Sequence, residues 1–360
     1  MRWDNLLADR DDSEERARLP IFADEAVVRR FKTPEFKGMT FYEVNAKSII
    51  NHVPGDRFGF NWTINPYRGC SHACRFCFAR PTHTYLDFNA GEDFDKKIVV
   101  KVNAVDLVRR ELRKKSWGGE QIAMGTNTDP YQRAEGHYKL MRGILGELNS
   151  ARNPYSILTK GTLIQRDIDL LQEGAAKMDV TTNFSVGTVD EDVWKRSEPG
   201  TPHPRRRLEV VKKLNEAGIP CGVLMAPILP GISDSPEQLE ATVRAIAESG
   251  ATHILPIVLY LRPGVKEEFM PWLEREYPHL VQNYRATYVK SNAPKDVSRE
   301  IGGRVSALKS RYGAFEKDRK HAPRRQERVT EEAPSEDVEQ MSLDLSETPR
   351  KAPKWARVPS

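Results

Sequence analysis

Three of the chain's four cysteines, Cys70, Cys74 and Cys77, fall in one short run, NPYRGCSHACRFCFAR, with the spacing C-x3-C-x2-C. Three thiolates spaced in this way can occupy three corners of one [4Fe–4S] cube, because thiolates are the usual protein ligands of such clusters. The fourth cysteine, Cys221, is distant in sequence. One iron of the cube would then have no protein ligand and would be open to a small molecule, whereas a fully thiolate-capped cluster mainly carries electrons. Iron held in this manner can supply one-electron and radical chemistry. The same thiols can also hold zinc, with His72 or His83 completing a Cys3His site, although structural zinc sites usually draw ligands from two separated knuckles and no second C-x-x-C is present. A disulfide framework fits poorly with an odd number of clustered cysteines in a long chain without a secretory signal.

Other positions with chemical character recur at the ends of apolar, strand-like runs. Gly125-Thr126-Asn127-Thr128-Asp129 offers a glycine for close backbone approach and hydroxyl and amide groups for hydrogen bonding. Asp129-Pro130-Tyr131-Gln132 also reads as a helix N-cap with proline at N1 and a capping-box-like glutamine. Lys160 stands between Thr159 and Gly161, and Ser185 shares a strand face with Asn183. Glu198 to Leu208 forms a proline-rich cationic loop whose arginines, Arg205, Arg206 and Arg207, can fork onto phosphate or carboxylate. Tyr67, Arg68, Phe76, Phe78, Arg80 and Tyr85 can stack bases and hold phosphates, or simply cover a cluster. Cys221 reads as a small core residue.

The elements that must position these residues alternate. Strands are expected at 62–65, 122–125, 155–158, 180–186, 221–226 and 253–258, with 98–102 a further short strand or a lead into a helix. Helices are expected near 103–115, 132–150, 165–176, 204–217 and 235–249. Such alternation predicts an α/β fold with a parallel sheet and right-handed crossovers, and the carboxyl ends of its strands are where the loops named above converge. Six units are visible, where a complete barrel needs eight.

The C-x3-C-x2-C spacing with Phe76 before the last cysteine resembles the signature of the radical SAM superfamily. The runs from Asn65 to Cys70 and from Thr128 to Gln132 resemble the spore photoproduct lyase-like branch, also labelled DNA repair photolyase-like, over roughly residues 40–300. The resemblance implies a partial, open (β/α)6 barrel and two cofactors, a [4Fe–4S] cluster on Cys70, Cys74 and Cys77 and S-adenosylmethionine (SAM). It implies reductive cleavage of SAM to a 5′-deoxyadenosyl radical, lyase-like chemistry and an electron donor such as flavodoxin or ferredoxin. It assigns Phe76 to adenine packing, Gly125, Thr126 and Asn127 to the amino-acid end of SAM, Lys160 to its carboxylate, and Ser185 to its ribose or carboxylate. Arg207 would face cofactor or substrate. The substrate class it favours is nucleic acid, including damaged DNA. Two departures stand out: the commoner Gly-Gly-Glu loop is replaced by Gly125-Thr126-Asn127, and Met124-Gly125-Thr126 lacks the cysteine by which spore photoproduct lyase supplies a hydrogen atom, for which the resemblance leaves Cys221 as the alternative donor. Rival readings are radical modification of a peptide, tRNA or metabolite, and a non-catalytic, metal-stabilised nucleic-acid-binding protein. The lack of a second cysteine cluster counts against the peptide-modifying branch.

The chain has 360 residues, 30% of them charged and 39% hydrophobic, and a net charge of +5. That balance permits an acidic partner. No apolar run approaches a membrane span, and a cytoplasmic location is expected. The organisation expected is an irregular lead-in over 1–60, the barrel over 61–265, a helical C-terminal extension over 266–312 that packs on it, and a disordered, charged tail over 313–360. Within the tail, Gln340 to Leu345 (QMSLDL) resembles the peptide by which bacterial DNA enzymes dock on the replication sliding clamp.

Overall fold

The structure is a computed structural model that describes residues 15–54 and 60–313. Nearly all of the tail, including the clamp-like peptide at 340–345, lies outside the described residues, as do the first fourteen.

Among the described residues, twelve strands form two sheets: β1 (Glu15–Ala17), β2 (Ala26–Arg29), β3 (Thr40–Val44), β4 (Ile50–His52), β5 (Trp62–Ile64), β6 (Tyr67–Arg68), β7 (Lys97–Lys101), β8 (Ile122–Met124), β9 (Tyr155–Thr159), β10 (Val180–Ser185), β11 (Cys221–Ile228) and β12 (Ile254–Val258). The larger sheet has the order β12-β11-β10-β9-β8-β5-β4. Its six strands from β5 to β12 are parallel and follow one another in chain order, as the six expected units require, while β4 adds antiparallel to β5. This is the open arrangement expected of a partial barrel.

The helices are α1 (Glu92–Lys96), α2 (Ala104–Leu112), α3 (Arg133–Tyr138), α4 (Leu140–Ser150), α5 (Ile168–Ala175), α6 (Glu191–Ser197), α7 (Pro204–Glu216), α8 (Pro236–Glu248), α9 (Lys266–Glu276), α10 (Val281–Thr287) and α11 (Lys295–Tyr312). Sequence periodicity explains how they dock. In α4, Leu140, Met141, Ile144, Leu145 and Leu148 recur at three- and four-residue steps and all are buried. Alternate residues of the strands do the same from the other side: Val180, Phe184, Val223, Met225 and Ile254 enter the same core cluster. Helix α8 opens on a capping box between Ser235 and Gln238.

Two expectations are corrected, and a third is narrowed to the first of its alternatives. The lead-in is not irregular throughout, because residues 15–52 carry β1 to β4. Three of those strands build the smaller sheet, in the order β1-β2-β3-β7-β6. Strands β1, β2 and β3 pair antiparallel with their chain neighbours, and β3 then pairs parallel with β7, far along the chain. The stretch at 98–102 belongs to β7 in that smaller sheet. The single helix expected over 132–150 is two, because Lys139 adopts a left-handed conformation (φ 52°) between α3 and α4. Helices α9 and α10 supply Phe269, Trp272, Leu273 and Tyr284 to a second core cluster that contains Cys74 and Phe76.

Candidate functional site

The cysteine loop leaves β5 and β6 at the carboxyl end of the larger sheet and is sewn down on every side. Gly69 (φ 77°) turns the chain into it, with space so tight that an added Cβ would meet the Lys97 carbonyl oxygen at 2.9 Å. Gln132 is fully buried and clasps the loop: its Nε2 donates to the Gly69 carbonyl (3.0 Å) and to Thr128 Oγ1 (2.9 Å), and its Oε1 accepts from the Ser71 amide (2.9 Å). Thr128 Oγ1 donates to the same Gly69 carbonyl at 2.7 Å. Arg80, 2% exposed, donates to the Cys74, Ala90 and Gly91 carbonyls and to Asp95. From the other side, the Gly200 amide donates to the His72 carbonyl (3.1 Å), and the Arg75 amide donates to the Ser197 carbonyl (3.0 Å).

All four cysteines are free thiols. Burial raises Cys70 well above its ordinary pKa, and Asp129 and the other two thiols push in the same direction. Burial likewise raises Cys74 and Cys77, each also influenced by charges of the neighbouring loops. Three thiols that raise one another's pKa in a desolvated loop suit a cationic cluster, which would hold them as thiolates on separate irons. A lone zinc ion fits less well. It needs its ligands about 2.0–2.3 Å from one centre, and among the described residues no three His, Cys, Asp or Glu side chains converge on one ion. Each of the two histidines has one ring nitrogen engaged. His72 Nδ1 lies 3.3 Å from Asp129 Oδ2. His83 Nε2 donates to the Lys97 carbonyl (3.0 Å), and burial pushes the ring's pKa down to about 4.

Lys160, at the end of β9, meets three of the expected residues. Its Nζ donates to Ser185 Oγ (2.9 Å) and to Glu198 Oε1 (2.7 Å) and lies 5.6 Å from the centre of the Phe76 ring. Ser185 Oγ in turn donates to the Ala226 carbonyl at 2.8 Å. Arg207 does not open onto the site. It is 0% exposed, and its donors reach the Pro202 and Ser185 carbonyls, Thr201 Oγ1 and Glu198. Burial alone would raise the Glu198 carboxyl, but Arg207 and Lys160 outweigh it and hold the pKa at about 2. The trio carries one net positive charge, Lys160 and Arg207 against Glu198. The sequence marked Glu198 as the start of the cationic loop, but not its place between two cations.

The β8 loop forms the opposite wall. Gly125 has φ 89°, and a Cβ there would lie 1.9 Å from the Leu158 carbonyl oxygen, so only glycine fits. Asn65 ties the loop down: its Nδ2 donates to Thr126 Oγ1 (3.2 Å), and its Oδ1 accepts from the Asn127 amide (3.1 Å). Asp129 is not the expected N-cap. Helix α3 starts four residues later, after Gln132, whose side chain makes no capping bond. Asp129 Oδ1 accepts locally from the Tyr131 amide (2.9 Å), and the carboxylate also accepts from Thr159 Oγ1 (2.6 Å) and from the Lys160 amide (2.6 Å), coupling the β8 and β9 loops to His72. Burial opposes its charge, yet His72 and these donors keep its pKa below the usual carboxylate value.

Two further expectations are revised. Tyr67 and Arg80 are buried and cannot stack or hold a ligand's phosphate; the Tyr67 hydroxyl donates to Glu135 at 2.5 Å. Phe78 and Tyr85 are 46% and 49% exposed. Cys221 is the first residue of β11, at the sheet end opposite the cysteine loop, and is fully buried with a pKa pushed up to about 12 by burial. It is a core residue and not a hydrogen donor to the site.

Residues 64–246 match the family model described as the radical SAM superfamily. An uncharacterized protein of Mycobacterium tuberculosis, Rv2578c, is 46% identical over 296 residues, covering 82% of this chain and 87% of the relative. A second, MJ0683 of Methanocaldococcus jannaschii, is 30% identical over 66% of this chain and 83% of its own length. Among solved structures, spore photoproduct lyase complexed with a dinucleoside spore photoproduct superposes with a TM-score of 0.58 at 14% identity, covering 76% of this chain and 79% of that one.

Proposed function

The chain belongs to the radical SAM superfamily, and from that premise we propose that it holds a [4Fe–4S] cluster on Cys70, Cys74 and Cys77, binds SAM beside it and acts on nucleic acid. The observation that carries the reading is the loop of three free, mutually coupled thiols, clasped by Gln132 and Arg80 at the carboxyl end of the parallel sheet. When bound, cluster and SAM together supply a 5′-deoxyadenosyl radical that abstracts a substrate hydrogen.

The chain's own residues bind and orient. The net positive charge of Lys160, Glu198 and Arg207 suits the carboxylate of SAM, with Lys160 Nζ as the donor. Ser185 accepts from that ammonium and sets its direction. Arg207 is a positioning residue that acts through Glu198. The Phe76 ring beside Lys160 offers a flat apolar surface to adenine. Gly125, Thr126 and Asn127, pinned by Asn65, present backbone to the amino-acid end of SAM. The roof of α9 and α10 over Cys74 and Phe76 excludes water. The electron would come from a carrier such as flavodoxin or ferredoxin.

The nucleic-acid part is supported by the net charge of +5 and by the shared fold with spore photoproduct lyase, which has been solved with a dinucleoside photoproduct and, in another structure, with AdoMet. It is tested by anaerobic turnover with SAM, reductant and deuterated oligonucleotides, irradiated and not. Deuterium in the 5′-deoxyadenosine is expected. Product free of deuterium from every pool would reject nucleic acid as the substrate.

A further inference from the structure

Away from the cysteine loop, two cations share one face of the smaller sheet with no counter-charge bound to them. In β7, Ile98 and Val100 enter the main core, whereas Val99 turns to a separate cluster with Tyr42, Val44 and Leu86. Lys101, two residues on, lies on the Val99 face. In β6, Tyr67 enters the main core, so Arg68, paired opposite Val99, lies on that second face as well. Arg68 and Lys101 are therefore diagonal cross-strand neighbours, about 7–8 Å apart at the backbone and within reach of one ligand through their long side chains.

Lys101 is only 6% exposed, yet among the described residues its ammonium makes no hydrogen bond or ion pair, and neither does the half-buried guanidinium of Arg68. The carboxylate acting on Lys101 is Glu111, which is itself buried and gives its oxygens to the Ile49 and Ile50 amides. Burial, reinforced by Arg68, pushes Lys101 down to about 7 despite Glu111. The Lys101 stem is buried, but its Nζ reaches solvent and so is open to an anion. Arg68 reaches the surface, and Tyr85, which influences its charge, is 49% exposed beside it.

We propose that Arg68 and Lys101 form a phosphate-binding subsite on the second face of the β6–β7 pair. A planar fork and a three-donor point charge together match a tetrahedral anion with several free oxygens. The phosphate belongs either to a nucleic-acid backbone or to free inorganic phosphate. The subsite goes beyond the proposed function and is tested without SAM or turnover.

The test uses the full chain, purified without oxygen with its iron. One arm follows the wild-type Tm on addition of inorganic phosphate at constant ionic strength set with chloride. The other follows anisotropy of a labelled single-stranded oligonucleotide. Wild type should gain Tm with phosphate, bind the oligonucleotide, or both. Lys101→Met should weaken whichever binding is seen by about tenfold or more, and Lys101→Arg should restore it. Response to phosphate alone identifies the free anion as occupant, and response to the oligonucleotide alone identifies the backbone. A wild-type Tm indifferent to phosphate, with oligonucleotide affinity unchanged in Lys101→Met, overturns the proposal. If Lys101→Met does not fold, judged by its iron content, the wild-type arm and Lys101→Arg decide: no phosphate response together with no oligonucleotide binding overturns it equally.

Discussion

Replacing Glu198 by glutamine should separate the stability of the site from its ligand binding. Glu198 is 5% exposed and lies between Lys160, at 2.7 Å, and the fully buried Arg207. The two cations outweigh burial and bring its carboxyl from 4.5 to about 2. At about 1.4 kcal/mol per pH unit, the charged form is favoured by about 3 kcal/mol. The sign follows from the depressed pKa: this stabilisation is complete above pH 4.5 and is lost as pH falls through about 2. At neutral pH, Glu198→Gln therefore removes all of it and leaves two uncompensated cations, a loss of about 3–5 kcal/mol. Lys160→Met leaves Glu198 and Arg207 as a matched pair and should lose only about 1 kcal/mol. Urea unfolding of the full chain under anaerobic conditions, followed by far-ultraviolet circular dichroism without SAM, measures both. The order reverses for ligand: Lys160→Met should weaken SAM binding roughly 10- to 150-fold. Equal destabilisation by the two variants, or a loss below about 1 kcal/mol in Glu198→Gln, would refute the electrostatic reasoning.

Alanine at any one of Cys70, Cys74 or Cys77 should abolish cluster assembly, read as iron and sulfide per chain, while Cys221→Ala should retain it. Gln132→Ala orphans the Ser71 amide and removes a donor from the Gly69 carbonyl; it should destabilise by about 1–3 kcal/mol and release iron faster on desalting. Gly125→Ala, with its Cβ 1.9 Å from a carbonyl oxygen, should cost more than about 3 kcal/mol and yield little soluble protein.

The six parallel strands were legible because apolar runs end on Gly, Pro or small polar residues, and because amphipathic helices separate them. The cysteine loop was legible from spacing alone. The smaller sheet was not: β1, β2 and β3 are short runs, and β3 meets β7, far along the chain, only in three dimensions. Asp129-Pro130-Tyr131-Gln132 has the local grammar of a helix start, and tertiary partners override it. Asp129 is drawn to the β9 loop, and Gln132 to the cysteine loop. Arg207 shows the same limit. Its motif places an arginine near the site, but the sequence does not say that every donor is turned inward to Glu198, Thr201 and backbone carbonyls. Lys101 carries no motif at all, and its unpartnered ammonium is visible only once β6 and β7 are paired.

The central claim is that this loop supports radical cleavage of SAM, and 5′-deoxyadenosine is its direct product. The decisive measurement is anaerobic incubation of iron-loaded wild type with dithionite and SAM, quantified by chromatography against Cys74→Ala. The account predicts 5′-deoxyadenosine from wild type and none above background from Cys74→Ala. A wild-type preparation with about four irons per chain that binds SAM and still forms no 5′-deoxyadenosine would contradict it.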